Sequence, residues 1–130
     1  MASGDQKASH QEVVEATASA EATRPPQAVP INVYEATGAL VILAPLPAVQ
    51  PGDVTVELRP GMVRFRARVR SAGPRQYLVN EWDYGGYERE VELPDGFGSG
   101  IEASLTNGQL AIRVLRGDPT GEMTVSPSAG

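Results

Sequence analysis

From residue 31 onward, apolar and polar side chains alternate with a period of two, and no stretch there carries helical spacing. Ile31, Val33 and Glu35 share one face of a short strand, and Thr37-Gly38 turns the chain. Residues 39–44 form a nearly continuous apolar run, as for a strand covered on both faces. Pro45, Pro47 and Pro51 break that run, and Gly52-Asp53 restarts the chain. Val54, Val56 and Leu58 alternate with Thr55, Glu57 and Arg59, and Pro60-Gly61 supplies the next turn. Val63, Phe65, Ala67 and Val69 then alternate with Arg64, Arg66, Arg68 and Arg70, the clearest strand of the sequence.

Residues 77–84 combine aromatic and acidic side chains, and Gly85-Gly86 ends the block. Tyr87, Arg89, Val91 and Leu93 face one way, with Glu88, Glu90 and Glu92 facing the other. After Pro94-Asp95-Gly96, Ile101, Ala103 and Leu105 form another apolar face. Asn107-Gly108 signals a type I′ hairpin, because both residues tolerate positive φ. Leu110, Ile112 and Val114 mark the returning strand. Short strands at this spacing, separated by turns, predict an all-β sandwich.

The first 29 residues differ: they are rich in Ala, Ser, Thr, Gln and Glu and hold no aromatic residue. Such a segment buries too little apolar surface to offset its ordering entropy, so residues 1–30 are expected to be a disordered arm and linker. Residues 9–22 favour at most a frayed helix, which the proline-rich stretch 24–30 stops. The expected domain spans 31–116. Residues 117–130 form a Gly/Pro/Ser-rich tail with one apolar pair, Met123 and Val125.

Composition narrows the chemistry. The chain has 130 residues, a net charge of −5, no cysteine and one histidine, His10, in the polar arm. Disulfides, thiolate metal sites and thiol nucleophiles are excluded, and no metal or other cofactor is expected. The negative charge argues against general nucleic-acid binding. No apolar run approaches the roughly 20 residues that span a bilayer. The N-terminus lacks a signal-peptide pattern, so a cytoplasmic location is expected. There is no histidine for an acid–base relay and no phosphate loop leading into a helix, so no catalytic residue is nominated.

Three features remain open at this level. Arg89, on the apolar face, requires a carboxylate partner such as Glu81 or Asp83 if it is buried, because orphaning one member of a buried pair costs about 3–5 kcal/mol. The alternative is a break in the alternation that leaves Arg89 solvated. The arginine stripe at 64, 66, 68 and 70 reads as a solvated face paired with Glu88, Glu90 and Glu92, rather than a phosphate-binding surface. Tyr77, Trp82, Tyr84 and Tyr87 mark a core edge or subunit interface in preference to a ligand-stacking patch.

Two segments carry a family resemblance. Ala103-Ser-Leu105-Thr-Asn107-Gly108-Gln109-Leu110, continued by Ile112 and Val114, resembles the C-terminal signature of α-crystallin domains. Gly86-Tyr87-x-Arg89-x-x-x-Leu93-Pro94 resembles the family's Phe-x-Arg-x-x-x-Leu-Pro segment. Val33-Tyr34-Glu35, Leu46-Pro47 and Asp53-Val-Thr-Val56 are similar to its opening strands.

The resemblance implies an immunoglobulin-like sandwich of the bacterial small heat-shock type. Its implied activity is ATP-independent capture of partly unfolded client proteins by a homodimer or larger assembly. It further implies that Tyr77, Leu78, Val79, Glu81, Trp82 and Asp83 exchange with a neighbouring subunit. There they pair with its first strand around Ile31 and Val33, with Arg89 at the interface. The strands bearing Val54, Val56 and Leu58 and bearing Ile101, Ala103 and Leu105 would form a groove for clients or for another subunit's tail, with Met123 and Val125 as the anchor. The aromatic-free arm favours an alternative on the same fold: a non-enzymatic adaptor or assembly accessory protein, like co-chaperone sandwiches or gas-vesicle accessory proteins.

Overall fold

Turn residues set the strand boundaries. Gly38 and Gly61 sit at φ values of 77° and 79°, and Asn107 and Gly108 at 53° and 77°, the positive values that tight hairpins demand. The computed structural model describes residues 28–68, 76–79, 81 and 86–129. Its strands are β1 (Asn32–Ala36), β2 (Ala39–Pro45), β3 (Val54–Arg59), β4 (Met62–Ala67), β5 (Tyr87–Glu92), β6 (Phe97–Thr106), β7 (Gln109–Arg116) and β8 (Met123–Val125). A single 3₁₀ turn at Pro51–Asp53 leads into β3.

The strands form two antiparallel sheets, in the orders β1-β2-β7-β6 and β5-β4-β3-β8. The expected all-β sandwich is therefore what the chain adopts. Between the sheets, Leu40, Ile42, Ile101, Leu110, Ile112 and Val114 meet Val54, Val56, Leu58, Val63, Phe65 and Val91. Each large side chain so buried contributes about 1.5–3 kcal/mol relative to exposure.

Strand β2 is covered on both faces, as its apolar run predicts. Leu40, Ile42 and Ala44 belong to the core, while Val41 is buried on the opposite face. There Tyr34 and Arg113 stand opposite it in register and lay their stems across it.

Strand β6 begins at Phe97, earlier than the apolar face at Ile101 suggests. Its first turn is irregular: Phe97 faces Arg116 and Ile101 faces Val114, so two extra residues are accommodated between them. Gly98 takes φ 132°, and a Cβ at Gly100 would lie 3.3 Å from a Leu115 methyl, so glycine lets the irregular strand pack closely. The alternation signal is lost here because two of the four residues have no side chain.

Two segments outside the expected domain belong to the structure. Val29 is only 2% exposed and joins the core. Strand β8, from the tail, extends the second sheet by pairing with β3.

Candidate functional site

The arginine stripe lies on the outer face of the second sheet. Arg64 pairs with Glu88 at 2.7 Å, and Glu57 lies 3.3 Å from Arg59 and 3.8 Å from Arg66. Cross-strand register places these charges side by side, with Arg64 between Glu57 and Glu90 and Arg66 beside Glu88. The stripe is thus a paired, solvent-facing surface. Arg70 lies outside the described residues.

Arg89 sits on the inward face of β5 with Tyr87 and Val91, and is half-buried. Its Nη1 donates to the Val29 carbonyl at 2.6 Å. Glu81 is exposed, and Asp83 and Trp82 lie outside the described residues.

The segment around Tyr77, Leu78 and Val79 forms no strand within the chain, and all three side chains are exposed, Leu78 fully. Strand β1 ends its sheet and pairs only with β2. Ile31 is half-buried, while Val33 and Tyr34 are 44% and 51% exposed. The chain thus presents an open strand edge and an exposed apolar segment. An open cleft of about 390 Å³ lies at the start of β1, against the end of β2 and the Asn107–Gln109 turn.

On the other side of the sandwich, β3 contributes Val54, Val56 and Leu58 and β6 contributes Ile101 and Leu105, all buried, with Ala103 half-buried. The tail lies along this pair. Val125 stands opposite Val56, Thr124 opposite Glu57 and Met123 opposite Leu58. The chain then reaches β6, where Ser128 forms a parallel bridge with Ser104. Val125 is half-buried and Pro127 fully buried, while Met123 is 41% exposed. The expectation from resemblance had this segment come from another subunit; here the chain's own tail occupies its own groove.

Val29, Pro127 and Ser128 are the residues that pattern reading did not nominate. A signal for Pro127 was present, since Met123, Val125 and Pro127 continue a period of two. Val29 carries none, being a lone aliphatic between two proline-rich turns.

Among the described residues, no cluster of histidine, cysteine or carboxylate groups is arranged to hold a metal ion. None of the helices searched is long and apolar enough to cross a membrane.

An antiparallel sandwich with this strand order, an inward arginine on β5 and an Asn-Gly hairpin between β6 and β7 defines a known class of domain. The sequence profile of the Hsp20/alpha crystallin family matches residues 33–126, and the chain belongs to that family. Among solved structures it is similar to HspA from Xanthomonas axonopodis, at 26% identity and a TM-score of 0.64, covering 71% of this chain and 96% of that one. A small heat-shock protein from Xylella fastidiosa aligns at 25% identity and a TM-score of 0.63, over 74% of this chain and 92% of that one. Heat shock protein 16.0 from Schizosaccharomyces pombe, at 22% identity and a TM-score of 0.61 over 72% of this chain and 70% of that one, shares the fold. A search of curated proteins finds no match.

Proposed function

We propose that the protein is a non-enzymatic, ATP-independent holdase that binds extended apolar segments of partly unfolded proteins. The observation that carries this reading is the tail pairing itself. The β3 edge accepts an extended segment through strand register and seats its alternate side chains against the β3–β6 groove. That is recognition by strand addition, in which main-chain hydrogen bonds give affinity and pockets for alternate residues give selectivity. Unfolding proteins expose the same groups. Family membership and the similarity to bacterial small heat-shock proteins support the reading.

The working unit in this proposal is a homodimer. The open edge of β1 takes the neighbour's segment 77–83, and Arg89 lies close to the exchange. Exposed Leu78, Val79, Val33 and Tyr34 are the apolar surface such an exchange would bury.

Light scattering from a heat-aggregating test protein, without nucleotide, decides the matter. Suppression at a several-fold molar excess of folded protein is the expected result. No suppression under those conditions supports the adaptor alternative, which the aromatic-free arm of residues 1–29 favours.

A further inference from the structure

The connector leading into the tail is short and fastened down. Only residues 117–122 separate β7 from β8, and a segment of that length reaches at most about 20 Å when fully extended. Gly117 N–H donates to the Gly96 carbonyl at 2.8 Å, and Thr120 Oγ1 donates to the Ser99 carbonyl at 3.4 Å. Pro119 lies over Gly98, where an added Cβ would come within 3.5 Å of its Cγ. These contacts use part of the available reach along the start of β6 and deliver the tail to the same chain's β3.

Past β8, the tail engages the opposite sheet. Ser128 N–H donates to the Ala103 carbonyl at 3.0 Å, and Leu105 N–H donates to the Ser128 carbonyl at 2.8 Å. Pro127, between the two attachments, is buried. The edge groups of β3 and β6 that an incoming strand would use are therefore engaged from within the chain.

We propose that residues 123–128 form an intramolecular plug, strapped to both sheets, which must detach before the β3–β6 groove can take any other extended segment. As a control on client capture this rests on the holdase reading; as a docking geometry it does not. The plug is built to release. Its strand is only three residues long, with Met123 and Thr124 exposed, and Gly121 at φ 140° precedes it with open space around it. A tethered segment competes at an effective concentration in the ~mM range, so an external segment at micromolar concentration succeeds only where its own contacts are stronger.

The chain has no cysteine, which gives a clean test. Glu57 and Thr124 are directly opposed. Opposed antiparallel residues lie about 4.5–5.5 Å apart, within the range a disulfide spans. The oxidised Glu57→Cys/Thr124→Cys protein should run on a non-reducing denaturing gel as a single-chain species of altered mobility. A mixture of the two single variants should give no cross-link. Cross-linking between chains, or none at all, overturns the proposal.

A second measurement guards against misfolding of that variant. A fluorescent peptide spanning residues 121–130 should bind the full chain at least ten-fold more weakly than it binds Val125→Asp of native circular dichroism. Equal affinity overturns the plug. Light scattering with the cross-linked chain separates the two readings. Suppression lost on oxidation and regained on reduction supports control by the plug, and equal suppression in both states overturns it. A chain that cross-links internally yet suppresses in neither state sinks the holdase reading and leaves the docking supported.

Discussion

The guanidinium of Arg89 donates to the main-chain carbonyl of Val29 at 2.6 Å, joining groups 60 residues apart. Val29 in turn places its side chain in the core. The arginine on the inner face of β5 therefore fastens the entry of the chain into the sandwich, and a carbonyl oxygen serves where a carboxylate was anticipated. A carbonyl with two lone pairs accepts a charge-assisted bond without bringing a second ion out of water, which avoids the larger desolvation cost of a buried ion pair.

Replacing Arg89 with Ala removes that bond and leaves the Val29 carbonyl part-buried. Hydrogen bonds to charged groups contribute about 1.5–3 kcal/mol, and partial exposure lowers this to roughly 1–2 kcal/mol. A thermal melt should shift down by several degrees, with Arg89→Lys in between. An unchanged melting temperature would show that the contact contributes nothing to folding.

Leu78 is fully exposed in the single chain. Leu78→Asp should leave the fold within about 0.5 kcal/mol of the parent by urea unfolding. It should weaken self-association at least ten-fold in sedimentation equilibrium, because a charge would enter the apolar exchange surface. Association as tight as the parent's would remove residues 77–79 from the proposed interface.

Gly108 closes the β6–β7 hairpin at φ 77°, yet a Cβ there would meet nothing nearer than 3.8 Å. Space is available; backbone conformation is the obstacle. Gly108→Ala should cost about 1–2 kcal/mol, the strain of one left-handed residue. A neutral substitution by chemical denaturation would contradict the hairpin geometry.

Arg64 and Glu88 approach to 2.7 Å on the outer face, with side chains 25% and 30% exposed, while Arg64 Nε is buried without a hydrogen-bond partner. The pair gains in Coulomb energy what it partly loses in desolvation and in that orphaned donor. A double-mutant cycle with Arg64→Gln and Glu88→Gln should give a coupling of at most about 1 kcal/mol, smaller again at high salt. A coupling of several kcal/mol would mark this face as part of something more than a solvated surface.

Much of the sandwich was legible in the sequence for a local reason. A strand turns successive side chains to opposite faces, so alternation at Val54, Val56 and Leu58, at Val63, Phe65 and Ala67, and at Leu110, Ile112 and Val114 states which face goes inward. Those residues are all buried. Turn chemistry at Gly38, Gly61 and Asn107-Gly108 is equally local, being a property of one or two dihedral angles. The same alternation set Arg89 inward and paired the arginine stripe with glutamates on the neighbouring strands.

What the chain's termini do was decided only in three dimensions. Val29 is buried because β5 and the sandwich interior happen to lie beside the incoming linker, and nothing in its neighbours 28–30 encodes that. Pro127 and Ser128 acquire a seat because β6 leaves Ala103 and Leu105 with free edge groups at the point the tail reaches. The period of Met123, Val125 and Pro127 told that a strand was possible, but not which edge would receive it. Periodicity is written by each residue's own backbone geometry. The choice of partner depends on where sheet edges fall after folding, and that is a property of the whole chain.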